Sequence, residues 1–393
     1  MPLDVQAIQQ ALRADRLDGW LLYDFQCVNP IARAVAGLGG SRKMTTRRWY
    51  YLIPADGPPR KLVHRIEPHT LNAVPGTCTT YAGHASLRDG LVAVLDGCRR
   101  VAMEYSPLCA IPYLSRVDAG TLEQVRACDV EVVSSGDLVQ QFMATWSDEA
   151  VETHRTAAAA LYRIKDRAFE VLRGVATGAA LTEYDLQQRM VGWFDEEGLD
   201  SDAAPVVAAM ENAGDPHYQP SATESRTIAP NELVLLDLWG KTRVPGAVYA
   251  DISWVGFTGA DVPAAMTRAF DAIARARDAA VALVEARIGA GADVRGFEVD
   301  RAARTVLLDA GYGDAVLHRT GHSLGETVHG QGVHMDDYET HDARRLLAGT
   351  GFTIEPGVYF SQFGMRTEIN VLVGDGHVDV TGPRQMEIIR LTA

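Results

Sequence analysis

Four acidic residues stand where an apolar strand pattern leaves no place for charge. Asp237 lies in LLDLWG, Asp251 in VYADISW, Glu355 in FTIEPGVYF and Glu368 in GMRTEINVLV. An ionised carboxylate in such surroundings is costly to bury unless a cation or a set of hydrogen bonds compensates it. One misplaced aspartate is ordinarily a turn cap or an ion-pair partner. Four, together with the block HRTGHSLGETVHG that carries His318, His322 and His329, read better as one site. With His322 they form a set of four carboxylates and one imidazole. Like charges at close range cannot all stay ionised unaided, so the set calls for about two divalent cations. Oxygen-rich ligation with one imidazole suits Mn²⁺, Co²⁺ or Zn²⁺, and the absence of cysteine sets aside thiolate-preferring metals. Two such ions lower the pKa of a shared water and clamp a tetrahedral intermediate. That is hydrolytic chemistry.

The elements that must carry these residues follow from patterning. ELVLLDLWG (232–240) and GAVYADISWVGF (246–257) read as two buried strands, joined through KTRVPGA. Upstream, Ser147-Asp148-Glu149 is a helix start, with a hydroxyl N-cap and acids in the first turn, and the helix runs to about Gly174. His154 falls on it among polar neighbours and reads as solvated. Thr182 caps a second helix ending at Gly198. Pro263 opens a long Ala-rich helix to about Ala290, and 293–310 is another. Helix-helix-strands therefore occurs twice, a hint of internal duplication without repeated words. Before residue 147, strands and helices alternate from GWLLYDF through VEVVSSGDLV, which implies an α/β layer domain. It shows no catalytic constellation. The reading gives two domains, 1–146 and 147–393.

The 393 residues carry a formal net charge of −14, which argues against a nucleic-acid or anionic-membrane partner, since either needs a basic patch. Five cysteines, an odd number without a C-x-x-C pair, suggest a reduced, cytoplasmic chain rather than a disulfide scaffold. The first residues show no apolar signal-peptide core, and no run approaches a membrane span.

The ordered motifs HRTGHSLG, TIEPGVY and MRTEINV, with the two upstream aspartates, resemble the pita-bread metallopeptidases: methionine aminopeptidase, aminopeptidase P and prolidase, with the metal-free creatinase as a cousin. The resemblance covers the chain from about Ser147 onward. The part before it looks like the creatinase-type domain of prolidase and aminopeptidase P. The implied fold class is α+β, a C-terminal pita-bread fold with pseudo-two-fold halves after a smaller α/β domain. By the same resemblance Asp237 would chelate one metal, Asp251 and Glu368 would bridge two, and His322 and Glu355 would complete the other. Glu355 would also shuttle the proton of a bridging hydroxide. His217 matches a histidine that contacts substrate, and His329 one that steadies the peptide carbonyl. Ser253 takes the place of a threonine bonded to the metal shell. His318 is as well explained by packing as by the site. Arg366 would pair with an acid or orient a substrate carboxylate.

The pattern also departs from the family. The aspartates are 14 apart, Asp-Ile-Ser-Trp-Val replaces Asp-Ile-Thr-Arg-Thr, and Gly330 follows His329 where an acid is common. His334, His341, Arg344 and Arg345 lie in the loop GVHMDDYETHDARR. Each taken singly reads as solvated, with Arg344 the first choice for holding a substrate carboxylate. The resemblance implies an Xaa-Pro dipeptidase, a cytoplasmic homodimer using Mn²⁺ and acting on small Xaa-Pro peptides. The alternatives are an Xaa-Pro aminopeptidase and a creatinase-like hydrolase of small C–N substrates.

Overall fold

Two apolar runs, Gly19–Asp24 and Trp49–Pro54, are buried along their whole length and form the centre of a six-stranded sheet. The structure is a computed structural model and describes residues 3–39 and 44–392. In space the strands run Thr77–Tyr81, Arg60–His64, Trp49–Pro54, Gly19–Asp24, Arg100–Met103 and Glu131–Ser134. Trp49–Pro54 is antiparallel to both neighbours, and the other contacts are parallel. Trp20, Trp49, Tyr50 and Tyr51 are buried in this sheet. Of the cysteines, Cys98 and Cys128 are half-buried and pack against the sheet's core, while Cys78 and Cys109 are exposed. The residues after Ser134 form the helix Gly136–Met143.

The chain divides into two compact units, Met1–Phe142 and Met143–Ala393. The second begins a few residues before Ser147 for a visible reason. The Trp146 N–H donates to the Gly349 carbonyl (2.7 Å), and its indole covers Gly351 so closely that a Cβ there would meet the ring at 2.1 Å. Ser147 caps the helix Asp148–Ala176, and Thr182 caps Glu183–Glu196 through a reciprocal bond with Asp185. His154 corrects the solvated reading. It is fully buried, with Nδ1 at 2.8 Å from the Tyr249 carbonyl and Nε2 at 2.7 Å from Thr381 Oγ1.

Alternation along two strands explains where the site lies. Leu233–Thr242 and Ala250–Phe257 pair antiparallel, with Asp237 opposite Ser253 and Trp239 opposite Asp251. Val234, Leu236, Leu238, Ala250, Ile252 and Trp254 turn one face onto the helices Asp148–Ala176 and Glu183–Glu196. Successive side chains point to opposite faces, so the odd-numbered residues form the other face. There Leu233, Leu235, Val255 and Phe257 join a core with Phe352, Ile354, Ile369 and Val371 and with the helices Ala264–Gly289 and Gly296–Asp309. At the far end of this face the apolar residues give way to Asp237, Trp239, Asp251 and Ser253. The second set of strands, Ser323–Leu324, Gly351–Ile354, Ile369–Val373 and Val378–Val380, forms its own sheet. The two helix pairs, each followed by strands, are the pseudo-symmetric halves. No described helix is long and apolar enough to cross a membrane.

Candidate metal centre

Each half supplies part of the centre. Asp237 and Asp251 come from the paired strands. Glu355 and Glu368 stand at breaks between strands, the first after Gly351–Ile354 and the second between Gly364–Arg366 and Ile369–Val373. Each glutamate directly follows or precedes a core-facing residue, Ile354 or Ile369, so strand alternation turns it away from that core. The Glu355 N–H donates to the Thr320 carbonyl (2.7 Å) and the Glu368 N–H to the Ser253 carbonyl (3.1 Å), so both irregular positions are tied to the opposite segment. His322 is fixed by exchange with Thr353: its N–H donates to Thr353 Oγ1 (3.0 Å), and the Thr353 N–H donates to its carbonyl (2.8 Å). Gly321 permits this, because a Cβ there would lie 2.0 Å from the Thr353 oxygen.

The five side chains converge. His322 Nε2 lies 3.5 Å from Asp251 Oδ2 and 3.4 Å from Glu355 Oε1. Asp251, His322 and Glu368 place one ligand atom each within 4.8 Å of the others. Ser253 Oγ sits 2.9 Å from Asp237 Oδ1 and 2.8 Å from Glu368 Oε2, while accepting from Arg366 Nε (2.9 Å). A hydroxyl has one proton, so it serves only one of these carboxylates at a time. Arg366 also binds Asp237 Oδ2 and donates to the Tyr359 hydroxyl (3.0 Å). Of its two readings, the pairing with an acid is the one found.

Charge in this centre is not balanced by the protein alone. Arg366 is hydrogen-bonded to one of the four carboxylates, Asp237, and lies 3.7 Å from a second, Glu355. Asp251 Oδ1 and Glu368 Oε1 are buried without a hydrogen-bond partner. Burial, reinforced by Asp237 and Glu355, pushes Asp251 well above the usual carboxylate range. Burial and the same crowd push Glu368 likewise, and Asp237 is raised by burial against the pull of Arg366. Glu355 goes the other way. Burial would raise it, but His322, Arg366 and His318 together hold it below the usual value. Unpartnered oxygens on two neighbouring acids, with an imidazole beside them, are the donor set a divalent cation takes. The residues fit the expected metal.

Around the centre opens a cavity of about 470 Å³, of a size that suits a small ligand. His217, His318, His329, Arg366 and the five candidate ligands line it. His329 packs edge-on against His322 (4.4 Å between centroids), and partial burial, then His322 and Arg319, lower its pKa. His318 bonds the Tyr359 hydroxyl (2.7 Å) and the Arg319 carbonyl (2.6 Å). It is thus both packed and at the site.

Arg344 is a correction. It does not line the cavity. Its guanidinium is buried and consumed by Asp342 and by the carbonyls of Gln331 and Gly332. His334, from the same loop, is also buried, and its Nδ1 accepts from the Ser323 N–H. His341 pairs with Asp337 and Arg345 lies 3.7 Å from Asp293.

Sequence reasoning missed Asp202, Trp239, Arg319 and Glu339 in the cavity wall. Trp239 was within reach, being two residues after Asp237 on the same face. It also missed Arg277, fully buried on Ala264–Gly289, which donates to Thr367 Oγ1 (3.1 Å) beside Glu368.

Comparison with known proteins agrees with this geometry. A protein named probable dipeptidase PepE from Mycobacterium tuberculosis is 28% identical over 361 residues, spanning 89% of this chain and 88% of its own length. An Xaa-Pro dipeptidase from Lactobacillus delbrueckii subsp. lactis is 32% identical over 211 residues, 53% of this chain and 52% of that protein. The crystal structure of dipeptidase PepE from Mycobacterium ulcerans superposes with a TM-score of 0.70 at 24% identity, covering 99% and 97% of the two chains, which shows a shared fold. The profile of metallopeptidase family M24 matches residues 152–375, more than half of the chain and the whole of the centre described above. The chain belongs to metallopeptidase family M24.

Proposed function

We infer that the chain is a dinuclear-metal Xaa-Pro dipeptidase. The carrying observation is the pair of buried, unpartnered oxygens, Asp251 Oδ1 and Glu368 Oε1, inside a five-donor set. Asp251 and Glu368 would bridge two cations, Asp237 would hold one, and His322 and Glu355 the other. Bound divalent ions, Mn²⁺ in our reading with Co²⁺ or Zn²⁺ as substitutes, polarise the scissile carbonyl and acidify the attacking water. Glu355 is the proton carrier. Its pKa lies below the usual value, so it is ionised and ready to accept. Oε1 already accepts from Thr353 Oγ1 (3.1 Å), which leaves Oε2 to take the proton and return it to the departing proline nitrogen. His329, neutral at physiological pH, donates to the carbonyl oxygen as negative charge develops there. His217 contacts the substrate from the cavity wall. Arg366 fixes Asp237, Ser253 and Tyr359 and has little left for a substrate carboxylate.

The cavity volume and the dipeptidase and Xaa-Pro dipeptidase relatives support small Xaa-Pro peptides. A cytoplasmic homodimer is our reading for location and assembly, supported by the five free cysteines and by the family resemblance. The test compares Ala-Pro with Ala-Pro-Ala in Mn²⁺. Cleavage of the dipeptide alone is expected. Cleavage of the tripeptide would make the chain an Xaa-Pro aminopeptidase, and cleavage of neither would remove proline specificity.

A further inference from the structure

Two carboxylates in the cavity wall are not among the five proposed ligands: Asp202 and Glu339. They differ in how they are held. Glu339 accepts the Arg319 backbone N–H (3.2 Å), and the buried Arg319 side chain lines the same part of the wall. Asp202 stands on the other side. Its Oδ1 accepts from the Trp239 indole N–H (2.7 Å), and Trp239 is the cross-strand neighbour of Asp251. Asp202 forms no ion pair among the described residues and is exposed in the wall of the cavity. Its charge is felt by both Asp251 and His329. It therefore lies beside the reacting centre without belonging to it.

A carboxylate held by an indole in the wall of this cavity can receive a cation. The oxygen supplies charge and a hydrogen-bond acceptor, and the ring face attracts a cation as well. We propose that Asp202, positioned by Trp239, receives the positively charged group of the substrate residue before the scissile bond. This rests on the peptidase reading above and adds to it a selection for cationic substrates. Asp202 and the five proposed ligands line one cavity, so a substrate whose scissile carbonyl lies at the centre brings the charged groups of that residue, its α-ammonium or a longer basic side chain, into the same cavity as Asp202. The shared chemistry is an ammonium or guanidinium next to an aromatic ring. The two sources separate by experiment.

The test uses the full Mn²⁺-loaded chain as wild type, Asp202→Asn and Glu339→Gln, with Ala-Pro, N-acetyl-Ala-Pro, Lys-Pro and Ala-Ala as substrates. If the α-ammonium is the ligand, wild type prefers Ala-Pro over its acetylated form. Asp202→Asn then raises KM for Ala-Pro about tenfold with kcat nearly unchanged, and the acetylated peptide is unaffected. If a basic side chain is the ligand, wild type prefers Lys-Pro over Ala-Pro, and only that preference disappears. In either case, calorimetric titration of the metal-free chain with the same peptides shows the cationic preference in binding, and Asp202→Asn removes it. Equal effects on all peptides, no effect on any, or the same loss from Glu339→Gln alone would overturn the proposal. Cleavage of Ala-Ala without Ala-Pro would sink proline specificity while leaving the role of Asp202 measurable on the peptide that is cleaved.

Discussion

Glu355 and His329 differ from their neighbours in having charge states already set for proton and oxyanion chemistry. Glu355 is ionised because four cationic or ionisable partners, His322, Arg366, His318 and Arg319, outweigh its burial. His329 is neutral because burial and nearby charge outweigh its basicity. Replacing His329 by alanine should lower kcat about 100-fold, the usual size for loss of one donor to a developing oxyanion. Metal content by mass spectrometry and the circular dichroism spectrum should not change. Lost metal in that variant would place His329 in the ligand set instead. These residues were legible because each breaks a rule that its surroundings obey: acids among leucines and valines, and histidines beside glycines. Arg344 broke no such rule, and it was chosen only as a basic residue in a polar loop. The structure shows why that choice failed, since a nearby aspartate and two carbonyls already use its donors.

The elements were legible where periodicity or caps marked them and obscure where neither did. Ser147 and Thr182 announce their helices, and the two aspartate strands read directly from their apolar runs. The segment 331–345 has no period. Its order comes from acids acting as internal caps: Asp336 Oδ1 accepts from the N–H groups of Tyr338, Glu339 and Thr340, and Asp342 accepts from His334 N–H and Arg344. Such local satisfaction looks like solvated polarity in one dimension. His154 misled for a related reason. Its helix neighbours in sequence are polar, but its partners come from 95 and 227 residues away. Burial holds its pKa at about 4, against about 6.5 in an unfolded chain. As pH falls through 6.5 the unfolded chain takes the proton first. The stabilisation is therefore complete above that pH and is lost progressively down to about pH 4. The ceiling is about 3 kcal/mol. Urea unfolding at pH 6.5 and pH 4 should show His154→Gln losing less stability than wild type over this interval. Equal losses would mean that His154 does not carry the acid sensitivity.

Across the whole molecule, the fold class was legible in the sequence because long amphipathic helices and buried strands dominate it. The five proposed donors, singled out in the sequence, are brought into one cavity by those elements. The cavity wall was not legible, because it is assembled from single residues of segments with no shared pattern, such as the loop bearing Asp202. The charge imbalance in the centre makes a global prediction. With Asp251 and Glu368 pushed well above the usual carboxylate range, cation binding must displace protons. Titration with Mn²⁺ near pH 7 should give a heat that depends on the buffer's ionisation enthalpy. Saturating metal at 100 times its Kd should add about 2.7 kcal/mol to stability. A chelator should reverse the gain and abolish turnover, and a melting temperature indifferent to Mn²⁺ would contradict the assigned donor set.

One contact reaches beyond the residues that do the chemistry. The outer edge of the Asp251 strand is covered by the chain's final stretch: Gly256 and Phe257 pair in parallel with Ile389 and Arg390, and the Gln385 side chain bonds both the N–H and the carbonyl of Val255. A chain clipped between Gly374 and His377 would keep every proposed donor, yet it would lay bare a row of unpaired backbone groups on the strand that carries Asp251. Exposed edges of this kind recruit other strands. Nicking at that turn should therefore be felt first as self-association and only then as lost hydrolysis, so the inventory of donors is smaller than the smallest piece of chain able to use them.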